Sequence, residues 1–216
     1  MMWIKHIYFP LLLLTASNAA FPNNIPDCLK GRLNTPECRR MIMNYWQHSS
    51  SIERIAIQEG IEPELLKALI AHESAYNARA VSPAQASGLT QVMPTTALGM
   101  RVNPSHLFIP EVSIRTGARY LRQMYNQFGR LDLALAAYNA GPRRVIRAGN
   151  RVPRIAETQN YVRNVTALYL EFKRKASAPH PRTPHPRTNL RIAQAENTRP
   201  RQVESSAYQS HTSNIP

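Results

Sequence analysis

Few side chains in the central part of this sequence can carry acid–base chemistry. Between Leu65 and Ala156 there are three acidic residues, Glu73, Glu111 and Asp132. Glu111 follows Pro110 at the head of a helical pattern, where negative charge suits the helix dipole, and reads as structural. Asp132 precedes the apolar run "LALAAYNAG" and reads as its cap. Glu73 is the odd one. Leu66, Leu69, Ile70 and Glu73 fall at i, i+3, i+4 and i+7, so the carboxylate continues an apolar stripe. It also stands in the last turn of its helix, where the macrodipole disfavours an anion. Both effects push its pKa upward. One reading is a fraying helix end turned to water. The other is an acid held protonated near neutral pH and ready to donate.

The residues that follow favour the second reading. "SPAQASGLTQVMPTTA" is rich in small residues, with Gly88 allowing a close backbone approach and Gln91 able to donate and accept hydrogen bonds. That chemistry suits a neutral ligand rich in hydroxyls and amides. Farther on, "ALAAYNAGP" ends an apolar helix with Tyr138 and Asn139, followed by Gly141-Pro142. An aromatic and an amide there suit a site wall, although Tyr138 equally suits plain core packing.

These residues need elements to hold them. From about 49 to 173 the pattern is helical, with no strand-length alternation, so a mainly α fold is expected. Helices are expected from about Ser51 to Glu59, and from Glu62 to Glu73 with Pro63 in the first turn. A short one is expected at "MPTTALGM" and a long one from Pro110 to Gly129. The last two cover "LALAAYNAG" and "ETQNYVRNVTALYLEFKRK".

The flanks differ. Residues 1–19 place one lysine before a short apolar run and small residues, the layout of a cleavable export signal ending at Ala19. The run is short for a membrane span, the competing reading. Residues 20–48 form an N-terminal segment with the two cysteines, Cys28 and Cys38. Export makes a disulfide between them the expectation over a metal or redox pair. Residues 49–174 form the main domain. Residues 175–216 are rich in Pro, Arg, Ser and Thr, repeat "PHPRT", and read as a disordered tail. No metal and no cofactor are expected. The formal net charge is +14, with Arg143, Arg144, Arg147, Arg151 and Arg154 clustered after "AYNAGP". Charge alone does not select among wall polymers, lipid head groups and nucleic acid. No nucleic-acid motif accompanies it, so that partner is not expected.

Four motifs in order carry a resemblance. "HES" holds Glu73 and Ser74, "SGLTQVMP" holds Gly88, Leu89, Gln91, Met93 and Pro94, "AAYNAGP" spans Ala137 to Pro142, and "ETQNYV" holds Glu157, Thr158 and Tyr161. From Ile52 to Leu170 the chain resembles the catalytic domain of the soluble lytic transglycosylases, a goose-type-lysozyme-like helical domain with a substrate cleft. Thr90 departs from the pattern, which usually has methionine there.

The resemblance implies cleavage of the β-1,4 bond between N-acetylmuramic acid and N-acetylglucosamine in peptidoglycan, without net water, leaving a 1,6-anhydro ring. It makes Glu73 the catalytic acid and then the base, with the substrate's acetamido group stabilising the cation at C1, an exception to the two-carboxylate scheme. It carries over Ser74, Gln91, Met93, Tyr138, Asn139, Glu157 and Tyr161 as substrate-site residues. Ser74 as a helix cap, Met93 as core filler and Glu157 as an ordinary helix-start residue stay open beside those roles. The arginine cluster reads either as an aid to encounter with an acidic wall polymer or as a solvated face. An exported domain with such a tail is similar to the enzymes that accompany type IV secretion and conjugation systems, which makes the periplasm the expected location and machinery proteins expected partners. A non-catalytic wall-binding scaffold and a hydrolytic lysozyme are the competing functions.

Overall fold

The computed structural model describes residues 21–177. The expected export signal and the tail from residue 178 onward lie outside the described residues. Eight α-helices appear among them: α1 (Phe21–Leu29), α2 (Pro36–Glu59), α3 (Pro63–Ser74), α4 (Pro94–Gly99), α5 (Pro110–Phe128), α6 (Leu131–Ala140), α7 (Pro142–Arg147) and α8 (Ala156–Ala176). A short 3₁₀ helix, Pro104–Phe108, lies between α4 and α5. The only extended pairing among the described residues is two isolated bridges, Val81 with Ser87 and Ser87 with Val92. The mainly α reading agrees with this, and none of these helices is long and apolar enough to cross a membrane.

Helix α3 is the hub. Its Leu65 to Ala71 are all buried, so it is enclosed on every side and not only along the stripe that ends at Glu73. Even Lys67 is buried, its ammonium 2.6 Å from Glu53. Pro63 starts the helix where a missing N–H costs nothing. Helices α8 and α2 pack against α3, and α6 lies between α5 and α8. Every residue of α6 from Leu133 to Tyr138 is buried, which fits a run of Leu and Ala with almost no polar interruption. Each fully buried Leu or Ile adds about 1.5–3 kcal/mol over its exposed state.

Three expectations change. The first long helix begins at Pro36, not Ser51. Thr35 caps it by accepting the Cys38 N–H at 3.2 Å, Pro36 occupies the first turn, and Glu37 meets the helix dipole there. The proposed boundary between residues 48 and 49 therefore falls inside α2. Ile25, Cys28, Cys38 and Met41 join the same core as α3 and α8, so residues 24–48 belong to the main domain. Asp132 is not a cap: Arg130 holds that position, and Asp132 lies in the first turn of α6 paired with Arg130 at 2.6 Å. Cys28 and Cys38 are joined, with their Cα atoms 5.1 Å apart, tying α1 to the start of α2.

Candidate active site

Glu73 sits at the end of α3, one residue before Ser74 closes the helix. The next two residues, Ala75 and Tyr76, have φ of 50° and 62°, so the chain turns away sharply through left-handed backbone. Non-glycine residues adopt that region at a cost of about 1–2 kcal/mol each. Here Tyr76 is anchored by a hydroxyl that donates to the Lys67 carbonyl at 3.0 Å. The result fixes a half-buried carboxylate at a helix terminus against the core.

Tyr161 of α8 donates a hydrogen bond to Glu73 Oε1 at 2.6 Å. Glu73 is half-buried, and loss of solvent dominates the surroundings of its carboxyl. Burial raises its pKa to about 8, the Tyr161 bond pulls it down, and the charge of Glu157 pushes it up. The Tyr138 and Tyr161 phenols are also held protonated, first by burial and then by the charge on Glu73. His72 lies edge-on to the Tyr161 ring, centroids 4.9 Å apart. Burial lowers its pKa to about 4, so near neutral pH it adds no cation beside the acid.

The turn after α3 is built around the same point. Ser74 Oγ donates to the Leu89 carbonyl at 2.8 Å, with the Ile70 carbonyl at 3.3 Å, which ties the helix end to the "GLTQ" turn. Gly88 has φ of 77°, and a Cβ there would stand 2.0 Å from the Leu107 carbonyl oxygen. Only glycine fits on both counts. Gln91, also left-handed at φ 46°, turns its amide nitrogen inward, donating to the carbonyls of Ala80 at 3.0 Å and Gly88 at 2.9 Å. Its side-chain oxygen has no protein partner among the described residues. Met93 is exposed beside it at the start of α4.

Thr90 is fully buried and packs away from the acid, onto α5. Its Oγ1 donates to the Ser113 carbonyl at 2.8 Å, and its N–H donates to Ser113 Oγ at 3.2 Å. Its own carbonyl accepts the Tyr138 hydroxyl at 2.8 Å. The departure at Thr90 is thus a packing contact. Tyr138 is buried, with its ring 5.1 Å from that of Tyr120. Asn139, half-buried, accepts a hydrogen bond from Thr158 Oγ1 at 2.9 Å. Glu157 is exposed in the first turn of α8, with no ion pair among the described residues.

The structure therefore gathers Glu73, Tyr161 and Glu157, and joins Ser74 and Tyr138 to the turn that carries Gln91. Sequence reasoning missed His72 as a neighbour of the acid and Thr158 as the holder of Asn139. Thr158 had a signal: with Tyr161, Val165, Leu168 and Phe172 it keeps the buried stripe of α8. The other acids stand apart, Glu111 paired with Arg54 and Asp132 with Arg130. A separate concavity of about 210 Å³ between α4 and α5 is lined by Met100, Val112, Arg115 and Arg119, and by none of the site residues.

The family described as the transglycosylase SLT domain matches residues 50–161, from mid-α2 through Tyr161. The chain belongs to this family. Its relatives include the soluble lytic murein transglycosylases of Salmonella typhimurium and Escherichia coli K12, each 40% identical over 121 residues, 46% of this chain and 19% of theirs. The membrane-bound lytic murein transglycosylase C of Sodalis glossinidius is 32% identical over 117 residues, 46% of this chain and 33% of that one. Among solved structures, an inactive mutant of lytic transglycosylase Slt from Pseudomonas aeruginosa superposes with a TM-score of 0.54 at 34% identity, covering 62% of this chain and 25% of that one. The 70-kDa soluble lytic transglycosylase in complex with bulgecin A gives 0.57 at 30% identity, covering 75% and 29%. The chain thus spans about a fifth of the length of the soluble relatives. The SLT domain of this chain carries the acid, its tyrosine partner and the glycine turn in one continuous block.

Proposed function

We propose that the chain is a peptidoglycan lytic transglycosylase that cleaves the bond between N-acetylmuramic acid and N-acetylglucosamine and leaves 1,6-anhydro ends. The observation that carries this reading is the 2.6 Å bond from Tyr161 to a Glu73 whose pKa is raised to about 8. A carboxyl with that pKa is mostly protonated at neutral pH, so it can protonate the glycosidic oxygen of the leaving sugar. Once ionised, it accepts the Tyr161 hydrogen bond as a better acceptor and can take the proton of the muramoyl C6 hydroxyl as that oxygen closes on C1. One group thus serves both steps, while the substrate's acetamido oxygen stabilises the charge at C1. The Gln91 oxygen and the exposed Met93 suit contact with sugar hydroxyls and a sugar face. Ser74, Tyr138 and Asn139 act largely through the turn and helix ends they hold.

Family membership supports the substrate, and Glu73 as the one carboxyl held raised among the described residues supports the water-free route over hydrolysis. The setting we propose is local opening of the wall in the periplasm for an envelope-spanning secretion or conjugation machine. Its support is the sequence pattern of an export leader and a basic, proline-rich tail. The test is digestion of purified peptidoglycan by the full chain, with Glu73→Gln beside it and products read by mass spectrometry. Anhydro-muropeptides from the wild type alone are the expected result. Reducing-end products would falsify the water-free route, and binding without products from either protein would leave a scaffold.

A further inference from the structure

Helix α6 leaves the site at Asn139, and α8 returns to it at Thr158, and the two are clasped at 2.9 Å. The chain between them is therefore a closed excursion beside the site. It is not loose: Val145 is fully buried and Pro153 is buried, which pins the excursion to the body. What it shows to solvent is mostly arginine. Arg143, Arg144, Arg147, Arg151 and Arg154 are all exposed. Arg144 is held by the Ala140 carbonyl at 2.8 Å.

Elsewhere the exposed arginines are scattered: Arg39, Arg40, Arg79, Arg101, Arg122 and Arg163 stand singly or in twos without an ion pair, and five others are paired, so it is the density of five exposed arginines between 143 and 154 that sets the excursion apart. Arg32 pairs with Asp27, Arg54 with Glu111, Arg119 with Glu59, Arg130 with Asp132 and Arg174 with Glu171. On the excursion no arginine has an ion pair among the described residues, and the sequence holds no acidic residue between Asp132 and Glu157. A dense run of unpaired guanidinium groups on a pinned segment beside the site offers forked donors that match carboxylates. We propose that this excursion is a binding surface for carboxylates of the peptides that hang from the muramoyl lactyl groups of the substrate. The inference rests on the proposed substrate and extends it from the sugar backbone to its side chains. Arg143 and Arg147, at i and i+4 on α7, share one face, and Arg151 and Arg154 carry the charge on toward α8.

The test uses binding, so it does not depend on turnover. The full chain carrying Glu73→Gln is co-sedimented with insoluble peptidoglycan, before and after an amidase strips the peptides. The same is done with Arg143→Gln, Arg147→Gln, Arg151→Gln and Arg154→Gln added together, and with the four Lys replacements. The expected result is a loss of roughly ten- to a hundredfold for the Gln set on peptide-bearing wall, steepest at low salt. A much smaller loss is expected on stripped wall, where the amidase leaves only the freed lactyl carboxylate on each muramoyl group, and an intermediate loss for the Lys set on peptide-bearing wall. Equal loss on both walls, or no loss on either, overturns the proposal. So does tighter binding to phosphatidylglycerol vesicles than to peptide-bearing wall. A wild-type chain that shows the peptide-dependent binding but makes no cleavage product fails the catalytic reading only.

Discussion

Replacing Glu73 with Gln should stabilise the protein, and the gain should grow with pH. The folded carboxyl has a pKa raised from 4.5 to about 8. Between those values the unfolded chain releases the Glu73 proton while the folded chain keeps it. The unfolded state is therefore favoured progressively as pH rises. At about 1.36 kcal/mol per pKa unit, this costs the wild type about 3 kcal/mol at pH 7 and about 5 kcal/mol above pH 8, and nothing below pH 4. The solvent-facing part of Glu73 screens some of this, so each figure is an upper bound at its pH. Gln is nearly isosteric and can still accept the Tyr161 hydrogen bond, so the variant escapes the cost without losing the contact. For a domain of this size about 3 kcal/mol corresponds to roughly 6–12 °C in melting temperature. Urea unfolding of both full-length proteins, disulfide intact, at pH 4, 6, 7 and 8.5 measures it. A gap that is flat with pH, or that closes as pH rises, would refute the claim that burial holds this acid protonated.

Other changes follow from the same geometry. Tyr161→Phe removes a donor to the ionised form of Glu73, so its acid dissociation constant should fall by about ten- to a hundredfold. Carbon-13 titration of the carboxyl reads this directly, and the basic limb of the pH–rate profile should move upward with it. Gly88→Ala meets the Leu107 carbonyl at 2.0 Å in a left-handed turn, so a loss of about 3 kcal/mol or more in stability is expected, with wall cleavage abolished. Little change in melting temperature would mean that the turn can open. Breaking the disulfide by Cys28→Ser with Cys38→Ser frees a ten-residue separation and should cost about 2–3 kcal/mol by denaturant unfolding, while the Glu73 pKa stays put.

Much of the site was legible because its determinants are local. Pro63 marks the start of α3, the stripe through Leu66, Leu69 and Ile70 leads to Glu73, and Gly88 signals a special turn. What bonds across the chain was not legible. Tyr161 and Glu73 are 88 residues apart, and Tyr138 and Thr90 are 48 apart, and no spacing rule links them. The amide of Gln91 suggested a ligand contact, yet its nitrogen serves the turn itself. The first half of α2 was missed because three consecutive serines, Ser49 to Ser51, favour a cap over a helix interior. In the structure Ser49 bonds the Trp46 carbonyl at 3.2 Å, while Met41, His48, Ile52 and Ile55 keep the buried face going. Tertiary burial overrode local preference there. The cap signal of Thr35, Pro36 and Glu37 was present but lay in a stretch whose cysteines drew the interpretation.

The contact between Thr90 and α5 bears on how this domain can change over generations. A Cβ on Gly117 would lie 2.4 Å from the Cβ of Thr90, while Ser113 holds both the backbone and the hydroxyl of that threonine. Positions 90, 113 and 117 are thus coupled by direct contact. A methionine at 90 would have to seat a longer side chain against the same helix, where Gly117 and Ser113 already close on the threonine. Transplanting a relative's residue at 90 singly should therefore fail where transplanting all three succeeds. The turn that carries Gln91 would then keep its place while its backing changed.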